Sequence, residues 1–421
     1  MKRALYAGTT PLLAAALFSI FAPAGAQQNA PATWPPLQER PYGAGPLASG
    51  QQAQRPAQGL PDYSPETARA TRDAARRYAG IAASGGWPRI AKPLGPDSNG
   101  KPVAELRKRL AVEGYLPEGE ADGLWDDRLE ATVRRFQSHM GLDQTGRVSR
   151  ATLRALNIPP TARARQLAAT AARLDRMKFR FGGRYVAVNI PAASVEAIQG
   201  GEVANRYTAV VGGKRHRSPQ IVAKIVSIDI NPSWTVPASI VKKELVPKLK
   251  RNPRYFSRED FVILDNRGRK VDPARLRRIS KANAARFTFR QEPGPKNALG
   301  SLRISMPNSK EVYMHDTPNK QLFDRDFRFL SHGCVRVEGV YDLAAWLLNE
   351  TSHEWNAAAL RDEVNSGQSR KIRLRGPVPV AWVYMTGWAT DNGPAHFRRD
   401  IYDLDKGAKA LRGNRRVAGR A

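Results

Sequence analysis

The chain of 421 residues contains a single cysteine, Cys334. One thiol cannot form an internal disulfide, although cysteines of exported proteins are usually paired in this way. Three roles stay open for a lone cysteine: packing in a core, bonding to another chain, or chemistry. Because Cys334 has no internal partner, a wrong intramolecular disulfide cannot consume it, and a catalytic thiol is permitted.

Long apolar runs are absent except at the N-terminus, where residues 11–21 follow Lys2 and Arg3 and precede Ala24-Gly25-Ala26. This order is typical of a signal peptide covering residues 1–26. The alternative is an uncleaved membrane anchor, but the run is shorter than the roughly 20 residues that span a bilayer. Lipoprotein attachment is excluded because no cysteine directly follows the cleavage site, and no later segment predicts a transmembrane helix.

Acidic residues are few: 38 Asp and Glu face 68 Lys and Arg, which gives a net charge of +30. Strong positive charge often indicates nucleic-acid binding. An exported protein seldom meets nucleic acid, whereas peptide stems of the cell wall and outer-surface lipids are anionic. A solvated surface is the simpler alternative for any one basic stretch, including the predicted C-terminal tail at 391–421.

The first half of the mature chain predicts a linker followed by helices. Residues 27–65 are rich in Pro, Gly and Gln and predict a flexible linker. A supporting helical segment is expected at 66–100, and three short helices at 101–160, with Asp127 and Ser149 as helix caps. A linking helix at 161–183 completes this part.

Residues 184–390 change to a period of two and predict a mainly β domain. We expect strands at 185–190, 207–211, 221–230, 302–306, 311–315, 371–375 and 378–385, and a helix at 340–348. Residues 235–290 are rich in Lys, Arg and Pro and interrupt this pattern as an insertion with helical signals. Its position before the cysteine favours a lid over an active site, and a solvated excursion is the alternative.

Two histidines accompany the cysteine. A thiol attacks as thiolate, and its ordinary pKa of about 8.5 leaves it mostly protonated at neutral pH, so it needs a base. His315 ends a separate predicted strand and can face the sulfur, which makes it the expected base. His332 lies in a turn centred on Gly333, whose backbone N–H groups are suited to an oxyanion pocket.

Arg336 shares a side with Cys334 if the chain is extended there. It could lower the pKa of the thiol, bind a substrate carboxylate, or form an ordinary salt bridge. Zinc is a chemical alternative, because His315, His332 and Cys334 are possible ligands. Neither a second cysteine nor a suitably placed glutamate supports it, so we predict no metal ion.

Two resemblances add to these inferences. Residues 101–160, with Asp122-Gly123 and Phe136-Gln137, resemble the peptidoglycan-binding domain of wall enzymes. The segments 315–318 and 331–336 (Ser-His-Gly-Cys-Val-Arg) closely resemble the signature of the YkuD-type L,D-transpeptidases. Further matches lie at 189–191, 231–237, 291–300, 306–309 and 400–402, and together they resemble the large Gram-negative subclass. That subclass often has Ser-Ser-Gly-Cys, so the role of His332 is the open point.

The resemblance implies an α+β protein, in which a small three-helix domain precedes a mainly β, sandwich-like catalytic domain with a helical lid insertion. It also implies a periplasmic enzyme without cofactor that acts on peptidoglycan peptide stems. Cys334 would attack a tetrapeptide at diaminopimelate, release D-Ala, and pass the acyl group to a second diaminopimelate as a 3→3 cross-link. Nucleic acid is not an expected partner, whereas other cell-wall synthesis enzymes are candidates.

Site roles follow from the same resemblance. His315 would be the base. His332, Gly333, Ser331 and Asp316 would support the oxyanion and the turn, and the substrate would contact Arg336, Tyr313, Trp234 and Asn297. Two other enzyme classes share the thioester, an L,D-carboxypeptidase and a D-amino acid exchange enzyme. A wall-binding scaffold with an inert catalytic domain is the non-enzymatic alternative.

Overall fold

The computed structural model describes residues 60–119, 122–276, 279–391 and 393–406. The predicted signal peptide, the predicted linker up to residue 59 and the predicted tail from residue 407 lie outside these ranges. Helices occupy the first part of the described chain, and strands dominate from residue 184 onward. The structure therefore has the predicted order of a helical region followed by a mostly β domain.

Five helices form the helical region: α1 (Thr67–Ala83), α2 (Lys101–Val112), α3 (Asp127–Met140), α4 (Arg150–Leu156) and α5 (Pro160–Leu174). Ser149 caps α4 as predicted, through its hydroxyl and the N–H of Thr152. The cap of α3 is Asp126 rather than Asp127, because the Asp126 carboxylate accepts from the N–H of Leu129. None of the helices in the described ranges is both long and apolar enough to cross a membrane.

The supporting helix and the three-helix bundle share one core. Helix α1 presents Ala70, Ala74 and Tyr78 at a spacing of four, and these side chains pack with those of α2 and α3. Phe397, from the predicted C-terminal tail, lies in the same core. The tail therefore begins later than residue 391, because apolar side chains between 395 and 402 are buried.

A buried ion pair lies inside this core. Arg109 donates to Glu113 at 2.6 Å, and both side chains have 0% exposure. Tyr78 donates to the second carboxylate oxygen of Glu113 at 2.9 Å, and the guanidinium of Arg109 lies 3.7 Å from the ring centroid of Trp87. Two buried charges are tolerated in such a core only while each keeps its partner, because the loss of one leaves the other uncompensated.

The strands of the described ranges are β1 (Arg184–Asn189), β2 (Ser194–Gln199), β3 (Glu202–Gly212), β4 (Ile221–Ile230), β5 (Trp234–Thr235), β6 (Phe261–Leu264), β7 (Thr288–Gln291), β8 (Leu302–Ser305), β9 (Met314–His315), β10 (Phe329–Ser331), β11 (Val335–Val337), β12 (Arg370–Val383), β13 (Gly387–Trp388) and β14 (His396–Phe397). Nine of them form one sheet in the order β10-β3-β11-β9-β8-β4-β12-β1-β2. An additional β2–β3 pairing joins the far end of this sheet back to β3. The sheet thus curves back on itself around an apolar core.

Helices α9 (Val340–Leu348) and α10 (Ala357–Asn365) follow β11. Helix α9 has the predicted bounds, and its leucines pack into the core of the sheet. Strand β2 and helix α10 were not predicted, and the two strands predicted at 371–385 are one strand, β12. A register shift between Arg373 and Val378 divides the pairing of β12 with β4, which explains the two separate sequence signals.

The insertion between β4 and β8 is mixed rather than purely helical. It carries α6 (Ala238–Ile240), a π-helix (Val241–Leu245), α7 (Val246–Arg251), α8 (Arg254–Arg258) and two short 3₁₀ helices (Pro273–Leu276, Ala284–Arg286). Strands β5, β7 and β6 add a small sheet, which the sequence did not predict. Phe256 and Phe289 form part of its buried interior.

The buried ion pair generates a stability prediction. Glu113→Gln leaves the charge of Arg109 in the core without its counter-charge, and we expect the free energy of unfolding to fall by about 3 kcal/mol. Urea unfolding followed by circular dichroism measures this loss. The matched control is Glu118→Gln, on an exposed glutamate. Equal stability of the two variants would contradict the prediction.

Candidate active site

Four predicted site residues lie on one face of two adjacent strands. Strands β9 and β11 are parallel, and their register places Arg336 opposite His315. Two residues earlier on each strand, Cys334 lies beside Tyr313. The carbonyl of Tyr313 accepts a hydrogen bond from the N–H of Val335 at 3.1 Å. Because side chains alternate along a strand, these four share one face while the intervening residues point into the core. The sheet register thus assembles the site.

Burial keeps the Cys334 thiol protonated. It raises the pKa of the thiol to about 11, although several neighbours act in the opposite direction. The backbone N–H and the hydroxyl of Tyr313 face the sulfur, and the charges of Arg336 and Arg303 favour the thiolate. The resting site therefore holds a protonated thiol whose neighbours favour the thiolate.

His315 is also held in its neutral form. Its side chain is 5% exposed, and burial, together with the charge of Arg336, lowers the pKa of the imidazole to about 3. The backbone carbonyls of Asp316 and Leu299 favour the protonated ring, but their effect is smaller. Its Nδ1 atom has no hydrogen-bond partner in the described part of the chain. A neutral imidazole beside a thiol is able to accept a proton.

Arg336 is buried without a carboxylate. Only 6% of the residue is exposed, and no ion pair joins it to any described residue. Burial lowers the pKa of its guanidinium to about 10, and the single charge that opposes this shift is that of Cys334. Its Nε atom also has no partner among the described residues. An ordinary salt bridge is thus excluded within the described ranges, and the guanidinium is free for an anionic group.

Arg303 and Asp229 extend the polar face beyond β9, and sequence reasoning missed both. Arg303 lies opposite His315 in the register of β8 with β9 and donates to the carboxylate of Asp229 at 2.7 and 2.8 Å. Its guanidinium lies 5.5 Å from the ring centroid of Tyr313. Asp229 therefore holds the guanidinium of Arg303 next to Tyr313, which faces the thiol. Strand residues of mixed charge gave no sequence signal for this arrangement.

The turn before the cysteine requires its glycine. Gly333 has φ of +115°, which side chains with a Cβ rarely adopt. Its N–H donates to the hydroxyl of Ser331 at 3.1 Å, and that hydroxyl donates to the carbonyl of Cys334 at 2.5 Å. The Gly333 N–H, which the sequence suggested for an oxyanion pocket, is therefore bonded to Ser331 in this structure. The N–H of Cys334, without a partner among the described residues, is left for that role.

A hydrogen-bond chain behind the turn fixes its position. Ser218 donates to the Gly333 carbonyl at 2.8 Å and accepts from the N–H of Gly212 at 2.9 Å. Tyr402 accepts from the N–H of Ser218 at 3.1 Å and donates to the carbonyl of Gly212 at 2.5 Å. Tyr402 was part of a matching motif, but Ser218 was missed because it sits in a polar loop distant in sequence.

His332 points toward the insertion. Its Nε2 atom lies 2.7 Å from Oε1 of Glu244, which belongs to the π-helix. Its ring stacks on His216 with centroids 4.2 Å apart and planes 23° from parallel. The ring of His332 thus makes contacts of its own, in addition to the turn geometry that its backbone provides.

The other predicted residues divide into two groups. Trp234 is buried and lies beside the hydroxyl of Tyr313, which in turn faces the thiol. Asp316 accepts from the N–H and hydroxyl of Ser301 at 3.0 and 2.8 Å and pairs with Lys320. Trp234 thus contributes to the cysteine site, and Asp316 stabilises the end of β9 directly after His315.

Asn297 belongs to the scaffold. Its amide nitrogen donates to the carbonyls of Pro232 and Glu292 at 3.0 and 2.9 Å, and its oxygen accepts from the N–H of Leu299 at 2.8 Å. These contacts point to a role in shaping the loop before β8 rather than the substrate contact predicted from the sequence. Within the described ranges, no three His, Cys, Asp or Glu side chains are grouped to hold a metal ion.

Family comparisons agree with this geometry. Residues 183–369 match the YkuD model, described as “L,D-transpeptidase catalytic domain”, and residues 99–156 match the model described as “Putative peptidoglycan binding domain”. Residues 183–369 are therefore similar to the YkuD-type L,D-transpeptidase catalytic domain, and residues 99–156 before them to a peptidoglycan-binding domain, as the sequence motifs predicted.

Individual relatives are more distant. A protein of Haemophilus influenzae described as “Putative L,D-transpeptidase” is 35% identical over 219 residues, which cover 52% of this chain and 44% of that protein. The chain thus spans less than half the length of this relative. Solved L,D-transpeptidase structures from Stackebrandtia nassauensis and Xylanimonas cellulosilytica are 13% and 14% identical. They cover 69% and 70% of this chain and 97% and 99% of their own chains, with TM-scores of 0.26 and 0.22. These scores are too low to support a structural comparison.

The charge arrangement around the thiol generates a pH prediction. Alkylation of Cys334 by iodoacetamide follows the thiolate fraction, so its rate should increase with pH toward the thiol pKa of about 11. Arg336→Met removes a nearby cation, raises the pKa of the thiol further, and should slow alkylation at pH 8 by about tenfold. Intact-protein mass spectrometry against time gives the rates.

The control for this measurement is Arg286→Met, which removes an exposed arginine of the insertion. Its alkylation rate should match that of the unmodified protein at every pH. Unchanged or faster alkylation in Arg336→Met would contradict the assignment of Arg336 as a cation that favours the thiolate.

Proposed function

We propose that the protein is a peptidoglycan L,D-transpeptidase in which Cys334 is the nucleophile. The observation that carries the proposal is the shared sheet face, on which the Cys334 thiol, a neutral imidazole and an arginine without a carboxylate partner among the described residues lie together. The two domain matches support the same assignment, because one is catalytic and the other binds the wall polymer.

The first half-reaction transfers an acyl group to the enzyme. The sulfur of Cys334 attacks the carbonyl between diaminopimelate and D-Ala, forming a C–S bond as the C–N bond breaks. The thiol proton passes to His315 and then to the nitrogen of the departing D-Ala. The N–H of Cys334 donates to the oxyanion, and the guanidinium of Arg336 binds a donor carboxylate.

Proton transfer has to accompany the attack rather than precede it. With a thiol pKa of about 11 and an imidazole pKa of about 3, a resting thiolate–imidazolium pair is disfavoured. Substrate binding changes this balance, because a carboxylate beside Arg336 offsets the charge that opposes protonation of His315. The neutral pair is therefore a ground state that the donor substrate activates.

The second half-reaction resolves the thioester. The side-chain amine of a second diaminopimelate attacks the acyl carbonyl, a C–N bond forms, the C–S bond breaks, and the sulfur regains a proton through His315. The product is a 3→3 cross-link. The signal-peptide pattern at residues 1–26 supports action in the periplasm, where the peptidoglycan-binding domain would hold the enzyme on its polymer.

Loss of the nucleophile tests the reaction. Cys334→Ala should abolish both D-Ala release and dimer formation from purified tetrapeptide muropeptides, because no other thiol exists in the chain. Liquid chromatography with mass spectrometry measures both products. The control is His353→Asn, on an exposed histidine outside the site, which should retain both activities. Dimer formation by Cys334→Ala would refute the proposal, and D-Ala release without dimer in the unmodified protein would identify a carboxypeptidase.

A second measurement reports on the acyl-enzyme itself. A carbapenem presents a strained carbonyl that an activated thiol opens, so the intact protein should gain the mass of one carbapenem molecule on Cys334. His315→Asn should slow this acylation, since the thiol then lacks its base. Absence of any adduct on the unmodified protein at millimolar carbapenem would count against an activated cysteine.

A further inference from the structure

The insertion delivers one carboxylate to the cysteine turn. Glu244 lies in the π-helix, and its Oε1 atom is 2.7 Å from Nε2 of His332, two residues before Cys334. The Glu244 and His332 side chains are 19% and 18% exposed, and we call this partly solvent-open region beside the cysteine turn the mouth of the site. Because Glu244 and His332 lie 88 positions apart in the sequence, only the fold of the insertion brings them into contact.

The π-helix explains how Glu244 is aimed. Val241 and Leu245 are buried in the insertion, while Lys242 and Lys243 are exposed. A π-helical turn contains more residues than an α-helical turn and rotates the side chains that follow. Here it leaves the two lysines toward solvent and turns Glu244 toward His332. Single π-turns within helices are frequent at functional sites.

Positive charge surrounds the rest of the mouth. Arg336 and Arg303 act on the thiol from the sheet, and Lys243 and Arg215 act on His216 beside His332. The two carboxylates on the sheet side are already engaged. Asp229 binds Arg303, and Asp316 pairs with Lys320. On the insertion side Glu244, which is bonded to His332, supplies negative charge close to His216 and its cationic neighbours.

The two substrates of the proposed reaction carry opposite charges at their reacting ends. The donor ends in a carboxylate, which suits Arg336. The acceptor arrives as a primary amine whose ordinary pKa makes it an ammonium ion at neutral pH. A mouth lined only by cations would repel such an acceptor, whereas a carboxylate at 2.7 Å from the imidazole of the turn attracts it.

We propose that Glu244, carried by the insertion and bonded to His332, is the specificity-determining residue that recruits the acceptor ammonium to the thioester. This inference rests on the proposed transpeptidase function. The bound ammonium loses two protons during transfer, of which one returns to the Cys334 sulfur through His315 and the other passes to solvent. The C–N bond forms and the C–S bond breaks, and Glu244 itself undergoes no covalent change.

Glu244→Gln tests this inference because it keeps the shape of the side chain and removes its charge. We expect the acceptor KM to rise about tenfold, the scale of a lost charge-assisted hydrogen bond, and the ratio of hydrolysed to cross-linked product to rise with it. Acylation by a carbapenem should stay within about twofold of the unmodified rate, because the donor half-reaction does not involve the acceptor. Glu244→Asp, which retains the charge, should recover part of the acceptor affinity.

The matched control is Asp272→Asn, on an exposed carboxylate elsewhere in the insertion, which should leave the acceptor KM unchanged. An equal loss of acylation and transfer in Glu244→Gln would overturn the inference in favour of a purely structural contact. An unchanged acceptor KM would overturn it as well. If the unmodified protein formed no dimer at all, the proposed function would fail first, and that outcome is visible before any Glu244 variant is compared.

Discussion

The register between β9 and β11 is the constraint on which the site depends. It places Cys334 and Arg336 on the same sheet face as Tyr313 and His315, while the alternate residues fill the apolar core. Because side chains alternate with a period of two, a shift of one residue in either strand would turn the thiol into the core and expose apolar side chains. The hydrogen bonds that pair β9 with β11 therefore fix both the packing of the core and the geometry of the site.

Charge is the second organising feature. A buried guanidinium normally needs a carboxylate partner, yet Arg336 has none among the described residues and lies beside a thiol whose pKa is raised by burial. Asp229 compensates Arg303, and Glu244 lies on the opposite side of the mouth. The site thus has cations on the sheet side and one carboxylate, Glu244, that reaches it from the insertion, an arrangement that suits the proposed donor carboxylate and acceptor ammonium.

Much of this organisation was predictable because it is encoded locally. The Ser149 cap, the bounds of α9, the period-two strands and the Ser-His-Gly-Cys turn each depend on neighbouring residues, and the motifs indicated the catalytic domain that residues 183–369 match. The small sheet of the insertion was missed because its strands pair with partners far along the chain. Strand β2 was missed although it pairs with its chain neighbours β1 and β3. The predicted start of the tail at residue 391 was too early, because Phe397 packs against helices that lie more than 200 residues earlier in the sequence.

The sequence by itself determined the lone thiol, the histidine that ends a strand beside it, and the glycine whose positive φ permits the turn. Only the tertiary structure decided that the Gly333 N–H is taken by Ser331, that Arg336 lacks a carboxylate partner among the described residues, and that Glu244 meets His332. The physical reason is range. Backbone conformation depends on adjacent residues, whereas a hydrogen bond between side chains 88 positions apart depends on how the insertion folds onto the sheet.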